Sequence, residues 1–228
     1  MKDFDLKYFL KILKSASCGR NIIYLDEIDS TNKAAIDFEK NDSDFLRDLK
    51  NKNFKGSAVI AAEKQTEGAG RQGKKWHSPS GGLWFTVILK EDLGERQAVF
   101  LNMVAAVSVY ESLISLYSLK TSVKWPNDIY VKNKKLCGIL SEIIRVKDID
   151  FVNIGIGINV NNELLPEDGF SKQEAESSIS LRSILGMHVP REELLAEILK
   201  TLEINFNSYI KNKDLKIILE RSQVSIVF

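Results

Sequence analysis

The stretch Thr66-Glu-Gly-Ala-Gly-Arg-Gln-Gly-Lys-Lys-Trp76 contains, at Gly68-Ala69-Gly70-Arg71-Gln72-Gly73, a literal G-x-G-x-x-G run. In a doubly wound α/β fold such a run leaves a strand, opens a helix and is followed about twenty residues later by an acid. A strand-like segment, Ser57 to Ala62, does precede it, and Glu91 and Asp92 follow at a suitable distance. The helix is what fails. Between Gly73 and Leu83 stand only Lys74-Lys-Trp-His-Ser-Pro-Ser-Gly-Gly82, too short for a crossover helix and broken by Pro79, Gly81 and Gly82. The loop is therefore expected to join Ser57–Ala62 directly to Leu83–Leu89 as an antiparallel excursion, and the dinucleotide fold is set aside.

The chain of 228 residues is 44% hydrophobic and 28% charged, enough apolar material for one good-sized globular core. With 32 basic against 31 acidic residues the net charge is +1, so nothing global advertises nucleic acid or a membrane surface, and any recognition of an anion must be local. Cys18 and Cys137 have no C-x-x-C partner and, with His77 and His188, form no metal-ligand spacing; they read as buried thiols and solvated or hydrogen-bonded rings. No secretory apolar segment opens the chain and no run approaches the length of a membrane span, which makes a cytoplasmic, reducing setting the expectation.

Working outward, Asp5 to Ser15 carries Leu6, Phe9, Leu10 and Leu13 on one helical face, Asn21–Leu25 reads as a strand, and Ser30 or Thr31 can cap a helix from Asn32 to about Lys40. Asn41 to Lys55 is polar without a firm period and reads as a surface insertion. Glu95 to Tyr117 holds a long helix with an apolar centre, as expected of an element buried against a sheet. Strand signals follow at Ser122–Trp125, Ile129–Val131, Leu136–Val146 and Phe151–Val160, with a hairpin tip expected at Asn133-Lys134. Helical patterns return at Ser180–Leu185 and from Pro190 to about Tyr209, and Gln223–Phe228 reads as a last strand. The fold class expected is α+β, a mixed and mostly antiparallel sheet flanked by helices.

Three polar clusters fall at strand ends and turns, where sites are commonly built. In the glycine loop Arg71, Lys74 and Lys75 offer cations beside a backbone that can approach a ligand closely, a composition suited to phosphate. In Val123-Lys-Trp-Pro-Asn-Asp-Ile129, Pro126 stiffens a turn that aims Asn127 and Asp128, and a carboxylate near phosphates commonly holds Mg²⁺. Lys135 stands on the next strand; by simple alternation it shares a face with Cys137 and Ile139 and is half-buried, which calls for an anionic partner. In Gly155-Ile-Gly-Ile-Asn159 the missing side chains leave a slot that something flat can occupy, with Asn159 on the same face. No G-x-x-x-x-G-K-[ST] occurs, so this reads as a nucleotide-phosphate site without a P-loop.

Ser30-Thr-Asn32, Glu63-Lys-Gln65 with Gly68-x-Gly70-Arg71-x-Gly73-Lys74-x-Trp76, Lys124-Trp-Pro-Asn-Asp128, Lys135-Leu-Cys-Gly-Ile-Leu-x-Glu142 and Gly155-Ile-Gly-Ile-Asn159 stand in the order and spacing seen in biotin protein ligases. The likeness runs from about Asn21 to Asn161, and more weakly to about Tyr209. Each motif is short; five in order are specific. The resemblance implies a class II synthetase-like catalytic core over residues 1–222. It also implies a two-step reaction: biotin and MgATP give biotinyl-5′-adenylate and pyrophosphate, and a lysine of a biotin carboxyl carrier domain then takes the biotin and releases AMP. It places Ser30, Thr31, Asn32, Gln65, Gly68, Ala69, Gly70, Gly138, Gly155 and Gly157 around biotin. Arg71 and Lys135 fall on the biotin carboxylate and α-phosphate as the catalytic cations, Lys74, Trp76, Lys124, Asn127 and Asn159 on ATP, and Asp128 on Mg²⁺.

Three departures from the family pattern are readable. Ala69 stands where relatives commonly carry arginine, and one charge-assisted hydrogen bond is worth about 1.5–3 kcal/mol, so a less tightly held adenylate is expected. Only a short segment precedes the first core strand, leaving no room for a winged helix-turn-helix, so DNA binding is not expected. By the resemblance, residues 223–228 are expected to be a remnant or the start of a C-terminal small barrel domain. Monomer and homodimer are both compatible with the sequence. Two alternatives stand beside the main reading: a lipoate protein ligase, whose Arg-Arg-x-Ser-Gly-Gly-Gly signature does not occur here, and a non-catalytic biotin- or adenylate-binding module.

Overall fold

The alternating runs become strands of one sheet. The structure, a computed structural model, describes residues 4–40, 57–90, 95–146 and 149–227; the polar stretch Asn41 to Lys55 and the acids Glu91 and Asp92 lie outside the described residues. In chain order the elements are α1 (Leu6–Ile12), β1 (Asn21–Ile28), α2 (Thr31–Lys40), β2 (Ser57–Gln65), β3 (Leu83–Lys90), α3 (Glu95–Tyr117), β4 (Ser122–Lys124), β5 (Asp128–Val131), β6 (Lys134–Val146), β7 (Ile149–Ile158), α4 (Lys172–Ser177), α5 (Leu181–Leu185), α6 (Arg191–Asn212), α7 (Lys216–Ser222) and β8 (Ile226–Val227). Among the described residues the eight strands run β1-β2-β3-β7-β6-β5-β4-β8. Only the outermost pairs, β1 with β2 and β4 with β8, are parallel; every pair between is antiparallel, as the α+β reading expects.

The two faces of this sheet differ in kind. Val152, Ile154, Ile156 and Ile158 of β7, with Val87 of β3 and Cys137 and Ile139 of β6, pack into the main core beside α3 and α6. Each such aliphatic side chain removed from water contributes about 1.5–3 kcal/mol. Phe151, Asn153, Gly155 and Gly157 point the opposite way, toward α2 and the glycine loop. The stretch Phe100–Tyr117 of α3 is long and apolar enough by composition to cross a membrane, contrary to the sequence expectation, but 67% of it is buried inside the fold, where packing on the sheet and α6 accounts for its character.

The β5–β6 hairpin turns through Lys132 (φ 48°) and Asn133 (φ 62°), one residue earlier than expected, in the doubly left-handed geometry of a type I′ turn. A register shift follows at once: Ile129 faces Cys137 while Tyr130 faces Lys135, so Leu136 is an extra residue in β6. This bulge corrects the alternation argument for Lys135. It resets the side-chain period, placing Lys135 on the cavity side with Gly138 while Cys137 and Ile139 stay in the core.

Two short helices lie in segments the sequence left unassigned. Helix α4 is closed by a capping box, Ser171 and Glu174 each bonding the other's backbone N–H, and α7 follows α6 after a left-handed Lys213. The last strand expected in Gln223–Phe228 forms as β8 and pairs with the main sheet: Val123 with Ile226 and Lys124 with Val227.

Candidate active site

The connection from β2 to β3 is a folded ribbon. Gln65 N–H donates to Ser78 O (3.0 Å), Trp76 N–H to Gly68 O (2.8 Å) and Gly70 N–H to Lys74 O (2.6 Å), so the two arms pair and turn at Gln72 and Gly73. Gly73 has φ +71°, a conformation glycine adopts without strain. The ribbon roofs a cavity of about 360 Å³ whose floor is the glycine-bearing face of β6 and β7. That volume is of the size that takes a small organic ligand.

Most residues singled out from the sequence converge here. Ser30 arrives just before α2 and Thr31 and Asn32 on its first turn, Gln65 at the end of β2, and Ala69, Gly70, Arg71, Lys74 and Trp76 on the ribbon; Asn127, Asp128, Lys135, Gly138, Gly155, Gly157 and Asn159 complete the wall. Lys124 and Gly68 do not line it. Lys124 is exposed, its ammonium 5.6 Å from the centre of the Tyr130 ring. Gly68 is buried where a Cβ would meet Ser78 Oγ at 2.7 Å, so its role is the close approach of the ribbon's arms.

The slot expected above the glycines is already filled by the protein's own groups. A Cβ at Gly157 would overlap the indole Nε1 of Trp76, one at Gly138 would lie 2.9 Å from the same ring, and one at Gly155 would overlap the Asn32 amide. Trp76, expected on the nucleotide side, thus lies flat on the floor, edge-on to Trp84 with centroids 6.4 Å apart. Its Nε1–H is buried without a partner.

Two polar groupings face each other across this floor. On one side Gln65 Oε1 accepts from Thr31 N–H (2.8 Å) and lies 3.1 Å from Thr31 Oγ1, while Gln65 Nε2 donates to Ser78 Oγ (2.8 Å). Thr86 Oγ1 stands 2.9 Å from Thr31 Oγ1 and 2.5 Å from Asn32 Oδ1, and Asn32 Nδ2 donates to Glu142 Oε2 (2.9 Å). On the other side Lys135 Nζ lies 2.8 Å from Asp128 Oδ2, Arg71 donates to Asn127 Oδ1 (2.9 Å), and Asn127 Nδ2 bonds Ile139 O (3.0 Å) and Asp128 Oδ1 (3.1 Å). Lys135 Nζ also sits 5.2 Å from the Trp76 ring centre. Among the described residues no three His, Cys, Asp or Glu side chains gather as a metal cage. Asp128, a single carboxylate beside cationic groups, fits Mg²⁺ carried in on phosphates and completed by water.

Several lining residues escaped the sequence reading. Tyr130, His77, Phe170 and Glu174 border the cavity. The His77 ring packs on Phe170 (4.8 Å between centroids) with Nε2 3.7 Å from Glu174 Oε1, which ties the ribbon to α4. Hydrogen bonds from Ser171 hold the Glu174 carboxyl below its ordinary value. The Ser171-Lys-Gln-Glu174 capping pattern was the available signal for this segment. Glu63, part of the motif containing Gln65, instead braces the ribbon's exit, accepting from Gly81 N–H (2.8 Å) and Tyr24 O–H (2.7 Å) and pairing with buried Arg191 (2.8 Å).

Residues 27–159 match the biotin/lipoate A/B protein ligase family. The chain is 34% identical over 200 residues to the bifunctional ligase/repressor BirA of Bacillus subtilis, covering 87% of this chain and 57% of that protein. It is 32% identical over 143 residues to the biotin–[acetyl-CoA-carboxylase] ligase of Paracoccus denitrificans, covering 61% of this chain and 59% of that one. The chain thus spans somewhat more than half the length of these relatives. Biotin protein ligase from Aquifex aeolicus, solved in complex with biotin and ATP, superposes with a TM-score of 0.68 at 32% identity, covering 89% of this chain and 77% of that one. With the family match spanning more than half of the sequence, and the sheet order and glycine ribbon in place, the chain belongs to the biotin/lipoate A/B protein ligase family.

Proposed function

We propose that this protein is an ATP-dependent biotin protein ligase that makes biotinyl-5′-adenylate and passes the biotin to a lysine of a carboxylase's biotin carboxyl carrier domain. One observation carries the reading: a neutral hydrogen-bonding wall (Ser30, Thr31, Gln65) and a cationic corner (Arg71, Lys135) open into the same cavity. A ligand with a polar ring at one end and a carboxylate at the other fits that polarity. The relatives' names and the Aquifex aeolicus complex with biotin and ATP support the same choice.

In this mechanism the biotin carboxylate leaves water for the corner where Lys135 and Arg71 stand. Their charges allow it to meet the α-phosphate of ATP, and they stabilise the charge gathered on the phosphorus oxygens as pyrophosphate departs. To act so, Lys135 exchanges Asp128 for the substrate anions. The freed Asp128 would hold Mg²⁺, which when bound neutralises phosphate charge. Trp76, pressed on the glycine floor, keeps water from the mixed anhydride. The carrier's lysine amine then attacks the acyl carbon, AMP leaves, and the amine proton passes to solvent. Neither step needs a covalent enzyme intermediate.

The test is exchange of labelled pyrophosphate into ATP, run with biotin and separately with lipoate, followed by transfer of biotin to a purified carrier domain. Exchange with biotin alone and labelled carrier are expected. Exchange driven by lipoate in place of biotin would move the assignment to the other branch of the family.

A further inference from the structure

Asn32 lines the cavity, yet both ends of its amide are committed behind the wall. Glu142 as a carboxylate can only accept, so the group 2.9 Å from its Oε2 is the Asn32 NH₂, whose other hydrogen faces Leu140 O at 3.4 Å. Asn32 Oδ1 is then the atom 2.5 Å from Thr86 Oγ1, and the Thr86 hydroxyl hydrogen must go to it. That leaves Thr86 Oγ1 an acceptor toward Thr31 Oγ1 at 2.9 Å. Gln65 Oε1, held by Thr31 N–H, is the other acceptor within reach, at 3.1 Å. Whichever of the two receives it, the Thr31 hydroxyl hydrogen stays inside the wall.

We infer that Glu142 and Thr86 are positioning residues that set the hydrogen-bond polarity of the cavity wall, so that Thr31 Oγ1 offers the ligand lone pairs only and selects an N–H of a cyclic urea. The inference rests on the proposed biotin reading and deepens it. Neither residue need touch the ligand. Without an acceptor at position 142 only the long contact to Leu140 O (3.4 Å) holds the Asn32 amide, which can turn over; Thr86 then donates toward Thr31 and takes up one of the two lone pairs Thr31 would offer the ligand. The two Thr86 bonds at the centre of the chain are buried, where a mismatched donor or acceptor has no water to turn to.

Calorimetric titration of biotin into the wild-type protein, Thr86→Val, Thr86→Ser, Glu142→Leu and Glu142→Gln, with thermal unfolding of each, tests this. Thr86→Val and Glu142→Leu are expected to weaken biotin about tenfold, the size of one neutral buried hydrogen bond. Thr86→Ser and Glu142→Gln, which return a hydroxyl and an acceptor, recover most of that loss. A biotin analogue with ring oxygen in place of the N–H that meets Thr31 gives the readout a structural role would not move. The wild type disfavours the analogue, and Glu142→Leu narrows the gap. Folded Thr86→Val and Glu142→Leu proteins with wild-type affinity and an unchanged gap would overturn the inference while leaving the ligase reading intact. Wild-type protein that binds no biotin would remove the ligase reading, and this inference with it. The two substitutions sit on different strands, so a fold defect in one leaves the other to decide.

Discussion

Ile154, Ile156 and Ile158 on one side of β7, and Asn153, Gly155 and Gly157 on the other, are interleaved residues obeying opposite rules. The isoleucines are filled against α3 and α6, where each methylene counts toward stability and chemistry is absent. The other side gives up side-chain volume so that Trp76 and Asn32 can lie against the backbone, and it leaves the Asn153 amide buried with neither atom hydrogen-bonded. A strand whose period is two residues can thus keep stability and ligand binding separate at 3.3 Å spacing, as its pleat dictates (about 3.3 Å rise per residue). The comparison teaches that glycines in a central strand, a cost in any purely structural account, mark the face that works.

This contrast can be broken in a graded way. Lys135→Ala removes the cation facing Asp128 and Trp76 and is expected to lower biotin-dependent pyrophosphate exchange by about 10²–10³-fold with little change in the unfolding midpoint. A slower enzyme that had also lost its fold would say that Lys135 is structural. On the opposite face, Ile154→Val should cost about 0.5–1.5 kcal/mol in denaturant unfolding while exchange per folded molecule stays unchanged. Asn153→Leu, nearly isosteric, should stabilise by about 1 kcal/mol because it replaces an unpaired buried amide by an apolar group; a drop in midpoint would mean that amide has a partner in solution. The smallest signal is a null one. Burial pushes the Cys18 thiol up to about 12 and the Cys137 thiol higher still, so iodoacetamide at mildly alkaline pH should label neither until the protein unfolds.

Much of the sheet was legible because its signals are local. The Gly-Ile-Gly-Ile alternation of β7, Pro190 heading α6 and the missing crossover helix after Gly73 each depend on a few adjacent residues. What escaped depends on partners far along the chain. The bulge at Leu136 leaves no mark in composition, yet it decides which way Lys135 points. That the glycine slot would be occupied by Trp76 could not follow from β7 alone, since the occupant lies on another element. Arg191 reads as an ordinary helix-start residue until its partner Glu63 is beside it. The candidate site residues were mostly found as a set because five motifs had to meet somewhere. Lys124 was swept in with its motif although its side chain turns to the outside.

The most direct test of the two-faced account is calorimetric titration of biotin into Gly157→Val and Ile156→Val, neighbours in the chain on opposite sides of β7, beside the wild type and with unfolding curves for all three. In Gly157→Val the new side chain displaces the Trp76 ring from the floor, so biotin binding should fall by at least about tenfold, the equivalent of an overpacking cost of a kilocalorie or more, while the fold persists. Ile156→Val should lose stability only. Equal loss of biotin affinity in both, or full affinity in Gly157→Val, would contradict the division of labour between the two faces.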